Sequence, residues 1–228
     1  MSRHIFALML KVFLVATFLV FLAAASDMTT IFQAVGRMDK SSLAQAVPSP
    51  RIYAFDLSPS GRTVALLVRA GDLVNASSWL LMVDAKTGQI LHKSQTSESA
   101  PYWALSAYFP PQVVFTPDEK FLVVQQQGHV RIVDAATLRI VRTVEAPKAE
   151  PRVPISVCGS SKSDLFAISF GTGQGLKSQF ENIPIRIEII DVSDGTRLGS
   201  WESGDMPQSL SPDAKLAAIS DHHTGGRC

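Results

Sequence analysis

The chain has 228 residues, 46% of them hydrophobic, with 21 Lys and Arg against 20 Asp and Glu and a formal net charge of +1. That balance fits an exported globular domain. It excludes the strongly basic face by which nucleic-acid binders are read, so nucleic acid is not an expected partner.

The first residues carry Arg3 and Lys11, then Val12 to Ala25 without a charge, ending in the small residues Ala23, Ala24 and Ala25 that a signal peptidase reads. Residues 1–25 are expected to form a hydrophobic helix that serves as a signal peptide. The uncharged run reaches about 21 Å at 1.5 Å per residue, short of the roughly 30 Å hydrocarbon core. Counting over residues 5–25 and letting Lys11 snorkel makes a retained membrane anchor the alternative. The chain is therefore expected to be exported, to the periplasm or outside the cell, or anchored through residues 5–25. Residues 26–50 end in Val47, Pro48, Ser49 and Pro50 and read as a spacer. Ile31, Phe32, Val35 and Met38 fall at helical spacing. We read this stretch as a strand or turn that packs on the following domain, with a short membrane-surface or docking helix as the alternative.

From residue 51 onward one order of elements recurs: strand, turn, strand, strand, Asp-ended turn, strand. The turn after the first strand falls at Ser58-Pro59-Ser60-Gly61, Thr116-Pro117-Asp118-Glu119, Ser160-Ser161-Lys162-Ser163 and Ser211-Pro212-Asp213-Ala214, and the Asp that closes the third strand at Asp84, Asp134 and Asp191. Four units are started and three are finished, over about 51–100, 101–147 and 153–203 with the start of a fourth at 207–228. Between the first two units lie Tyr102, Trp103, Tyr108 and Phe109, held in an extended crossover by Pro101, Pro110 and Pro111. They read as interblade core, with Tyr102, Trp103 and Tyr108 as the candidate contacts to a sugar or peptide.

In the second unit Val113 to Phe115 makes the inner strand, Pro117 presets φ for a type I turn, and Lys120 to Gln126 returns as a buried strand. Gly128 makes the tight reversal into Val130 to Asp134, where Val130, Ile132 and Asp134 share one face and Arg131 and Val133 the other. Leu138 to Val144 is the outer strand, partly solvated at Arg139 and Arg142.

In the third unit Cys158 sits on the inner strand as a small buried hydrophobe, while Cys228 is the last residue; after export the two could in principle pair. Gly171-Thr172-Gly173-Gln174-Gly175-Leu176-Lys177-Ser178 invites comparison with a phosphate loop, but Leu176 stands where Gly must precede Lys, and a strand follows where a helix should. An enlarged loop between strands is the reading, with Gly171, Gly173, Gly175 and Lys177 as its candidate ligand-facing residues. At the end of the chain Asp221-His222-His223 is the densest set of metal-type ligands, yet adjacent histidines on an extended chain point to opposite sides. No metal is expected. His92 and His129 read as isolated surface residues in a strand and a turn.

Units of roughly 40 to 50 residues with four strands each mark propeller blades, because a blade buries its apolar face only against a neighbouring copy. The turn and Asp signatures resemble the bacterial relatives of the WD-repeat propeller, often called YVTN or WD-repeat-like. Phe55 to Gly61 with Val83 to Gly88, Phe115 to Lys120 with Val133 to Thr137, Ile190 to Gly195, and Leu210 to Lys215 carry the likeness, over about 51–220. The Trp before Asp and the upstream Gly-His pair of the eukaryotic type are lacking. The expected fold class is all-β: an incomplete β-propeller of four-stranded antiparallel blades preceded by an N-terminal hydrophobic helix. Closure takes about four to eight blades, so the chain reads as a fragment of a longer propeller, with a ring shared between chains as the alternative.

No catalytic residue set is recognised, and no cofactor is expected. The expected function is a non-catalytic binding or interaction scaffold, exported, that presents its loop face to a protein, peptide or glycan, with self-association open to its unclosed edges. The alternative is part of a propeller enzyme or cofactor carrier whose active residues lie partly beyond this chain.

Overall fold

The computed structural model describes residues 29, 33, 36–37, 46–47, 50–70, 77–97, 111–126, 128–147, 152–172, 184–204, 206–213 and 215–219. The predicted hydrophobic helix of residues 1–25 lies outside them. Among the described residues no helix is long and apolar enough to cross a membrane.

The architecture is all-β. Among the described residues fourteen strands run in chain order: β1 (Arg51–Leu57), β2 (Thr63–Ala70), β3 (Ser77–Asp84), β4 (Ile90–Ser97), β5 (Gln112–Phe115), β6 (Phe121–Gln126), β7 (His129–Asp134), β8 (Ile140–Val144), β9 (Arg152–Gly159), β10 (Leu165–Thr172), β11 (Ile185–Asp191), β12 (Arg197–Ser203), β13 (Pro207–Leu210) and β14 (Ala217–Ile219). They form three four-stranded sheets, β1–β4, β5–β8 and β9–β12, each with neighbours in sequence order, and the hairpin β13–β14. Within each sheet and the hairpin the pairings are antiparallel, as short local turns require, while one isolated parallel bridge joins Ser160 to Leu210. The first strands β1, β5, β9 and β13 approach one another from sheet to sheet, so they lie innermost.

Because side chains alternate across a strand, each middle strand supplies two cores. Ala65, Leu67, Leu80 and Met82 of the first sheet pack with Val113, Phe115, Leu122, Val124 and Val133 of the second. The other face of the second sheet, with Val123, Val130 and Ile132, packs with Val157, Phe166, Ile168 and Phe170 of the third. Ile132 and Val133 thus serve opposite neighbours, as their alternation predicts. Ala167, Ile187 and Ile189 of the third sheet meet Leu210 of the hairpin. The outer strands are wetter: Leu91, Ile140, Val141 and Leu198 are exposed.

Three details differ from the sequence reading. Lys120 belongs to the turn, and β6 starts at Phe121. Leu138 precedes β8; it is buried and left-handed, at φ 55. The spacer is helical at Thr29, Gln33, Gly36, Arg37 and Ala46 and not extended, while its packing on the domain is seen at Val47, which is fully buried. Ile31, Phe32, Val35 and Met38 lie outside the described residues.

Candidate functional site

Antiparallel pairing sorts the connections onto two rims. The turns at 58–62, 85–89, 116–120, 135–139, 160–164, 192–196 and 211–216 leave from one rim, the first six with five residues each and the last with six. The connections at 71–76, 98–111, 127–128, 145–151, 173–184 and 204–206 leave from the other, and their lengths run from two to fourteen residues. Neighbouring sheets keep this sense, because side-chain bonds join like rim to like rim.

On the turn rim the repeated polar residues are engaged locally. Asp84 Oδ1 accepts from Thr87 N at 2.6 Å and Thr87 Oγ1 at 2.8 Å, and Asp134 Oδ1 from Thr137 N at 2.8 Å and Oγ1 at 2.7 Å. Asp191 Oδ1 accepts from Ser193 N at 2.9 Å and Oγ at 2.5 Å. Donation from the Thr87 hydroxyl and amide holds the Asp84 carboxyl below its ordinary range, and Thr137 does the same for Asp134. The first-strand turns follow one plan too: Thr63 N donates to Ser58 Oγ, Phe121 N to Thr116 Oγ1 and Leu216 N to Ser211 Oγ. Gly61 at φ 70 and Glu119 at φ 61 occupy matching left-handed positions.

The same rim carries ties between sheets. Phe115 N donates to Asp56 Oδ2 at 2.8 Å, Ser60 N and Oγ donate to the Glu119 carboxylate, and Ser160 Oγ donates to the Pro212 carbonyl at 2.9 Å. Burial, together with the like charges of Asp118 and Asp191, raises the Asp164 carboxyl.

On the loop rim, Thr96 Oγ1 of β4 donates to Gln126 Oε1 of β6 at 3.2 Å, and Arg131 Nη1 donates to the Thr96 carbonyl at 2.5 Å. Gln125 Nε2 reaches the Pro154 carbonyl at 3.3 Å, and Val157 N donates to Gln112 Oε1 at 2.7 Å. The third sheet adds a charge network. Arg152, its side chain 6% exposed, pairs with Glu202 at 3.0 Å; buried Glu188 lies 3.0 Å from Arg186 Nε and 3.3 Å from Arg197 Nε. Sequence reasoning missed these residues. Strict alternation in Ile185-Arg186-Ile187-Glu188-Ile189 is the signal that puts Arg186 and Glu188 on one face opposite the three isoleucines.

Both predicted site groups belong to segments whose flanking strands end on this rim. Tyr102, Trp103 and Tyr108 fall between β4 and β5, and Gly173, Gly175 and Lys177 between β10 and β11. All six lie outside the described residues, as do Cys228 and Asp221-His222-His223. Gly171 is described: it is buried inside β10, opposite Val153. Cys158 is a half-buried free thiol on β9, pushed up to about 11 by burial. His92 and His129 are exposed, His129 as the first residue of β7 after Gly128 at φ 73. Among the described residues no three His, Cys, Asp or Glu side chains are grouped to hold a metal ion.

The geometry of stacked four-stranded sheets with innermost first strands matches solved structures. The chain is similar to the β-propeller domain of Myceliophteria thermophila Cps50 (Swd1), at 15% identity over 82% of this chain and 52% of that one, with a TM-score of 0.52. The fold is propeller-like. Further likenesses are to Kuenenia stuttgartiensis hydrazine synthase, at 15% identity, 80% and 59% coverage and TM-score 0.48, and to the Neurospora crassa Pan2 WD40 domain, at 10% identity, 77% and 44% coverage and TM-score 0.46. At such identities the first likeness speaks to the propeller fold alone. This chain spans between 44% and 59% of the length of those three chains. No protein-family model and no curated protein sequence matches it.

Proposed function

We propose that this chain is an exported, non-catalytic propeller scaffold of the bacterial WD-repeat-like type that presents its loop rim to a protein, peptide or glycan. The observation that carries this reading is the contrast between the rims. One holds turns of five or six residues with a repeated hydrogen-bond plan; the other varies from two to fourteen residues. Variable connections on a fixed scaffold are where repeat proteins keep their binding residues. Tyr102, Trp103, Tyr108 and Lys177 supply the aromatic faces and the cation suited to a sugar or peptide. Export rests on the leader of residues 1–25, and a mature protein whose N-terminus lies near Ser26 is its expected signature.

The test is a peptide and glycan array probed with the purified protein. A retained ligand should lose affinity when Trp103→Ala or Lys177→Ala is introduced and keep it when Thr87→Ala or Thr137→Ala alters the opposite rim. Loss on the Thr variants with retention on the loop variants would overturn the proposal.

A further inference from the structure

In a ring of blades each sheet meets a sheet on both faces. The second sheet of this chain does so, and the third lies between the second sheet and the hairpin. One face of the first sheet meets the second, through Ala65, Leu67, Leu80 and Met82 with Ala54 of β1 beside them. Its opposite face carries Val64, Leu66, Val68, Leu81 and Val83, none more than 1% exposed, and among the described residues Val47 and Ala46 share this core from outside the sheet and its turns. Val47 is itself 0% exposed. Farther back, Arg37 Nη1 donates to the Lys86 carbonyl at 2.6 Å in the β3–β4 turn, and Arg37 Nη2 reaches Gln33 Oε1 one helical turn away at 3.4 Å. Arg37 therefore holds the turn rim while Val47 joins the core on this face.

We propose that Ala46 and Val47, with Arg37 tied to the β3–β4 turn, act as an internal cap, occupying the face of the first sheet that a flanking blade takes elsewhere in the stack and competing with any such blade for it. Stacked repeats leave an apolar face at each end, and an end cap is what keeps that face from water. Three features fit the role. The covering residue is apolar and completely buried, the segment is tied to the sheet by a hydrogen bond to backbone, and it is helical at Ala46 directly before Val47.

The test uses the full chain and Val47→Asp, which changes the cap and leaves the sheet intact. Hydrogen exchange of β2 and β3 should rise by about tenfold or more in the variant while β10 and β11 stay as they were. Sedimentation velocity should show self-association of the variant, as the uncovered face seeks another apolar face. Unchanged exchange in β2 and β3 would overturn the cap, and raised exchange without association would overturn the competition. If the variant loses protection everywhere, a photo-crosslinking residue at position 37 in the otherwise unaltered chain decides. Adducts on residues 84–88 uphold the cap; adducts elsewhere, or none, overturn it.

Discussion

Single residues in this chain are mostly legible by their place in the repeat. Asp84 and Asp134 close the third strand in sequence and accept the Thr hydroxyl and amide of the next turn in structure. Each carboxyl is held below its ordinary value, so its contribution to stability is full above the unfolded value of about 3.8 and is lost as pH falls through the lower folded value. Asp84→Asn and Asp134→Asn should flatten the acid side of a stability-against-pH curve measured by urea denaturation. Asp164 has the opposite sign. Its raised carboxyl, pushed up by burial and by Asp118 and Asp191, makes stability fall as pH rises from 3.8 through the folded value. Asp164→Asn should therefore stabilise the protein at neutral pH and leave it unchanged at pH 3. Glu119 was not legible, since Thr116-Pro117-Asp118-Glu119 has no glycine to announce a left-handed residue. Its bonds to Ser60 of the neighbouring blade compensate for φ 61. Glu119→Ala should cost about 1–2 kcal/mol, and Glu119→Gly should cost less because it relieves the backbone. Equal losses for the two would refute this account.

At the scale of elements, hydrophobic alternation and Asp-ended turns located the strands, and their edges were set by turn geometry that the pattern does not encode. Leu138 looks like the start of a strand because it is apolar. It is buried instead as the left-handed residue of the turn, where the matching residues are Gly88 at φ 75 and Gly195 at φ 82. Gly171 lies in β10, where a Cβ would come 3.0 Å from Ile155 Cδ1; glycine weakens a strand signal while permitting this close approach. Two glycines of the third sheet make a paired test. A Cβ on Gly159 would stand 2.9 Å from the ring of Phe166, which is fully buried and cannot yield, whereas Gly199 has nothing within 4 Å. Gly159→Ala should destabilise by about 1–3 kcal/mol in urea denaturation, and Gly199→Ala should stay within about 0.5 kcal/mol.

For the whole molecule, the repeat made the stack of sheets readable, because units with one order of strands can shield their apolar faces only on one another. The candidate site was legible as segments but not as a surface, since sequence spacing does not say which connections share a rim; antiparallel register does. The charge network of Arg152, Arg186, Glu188 and Glu202 escaped notice because its members come from four positions on three strands. Packing of the spacer on the domain was expected from the sequence, but not the face that Val47 enters, because nothing in the spacer's pattern names it. Methyl-to-methyl nuclear Overhauser contacts test the stacking most directly. The account predicts cross-peaks linking Leu67 and Leu80 to Leu122 and Val124, and a separate set linking Leu66 and Leu81 to Val47. Cross-peaks from Leu66 or Leu81 to Leu122, or none between the first two sheets, would contradict it.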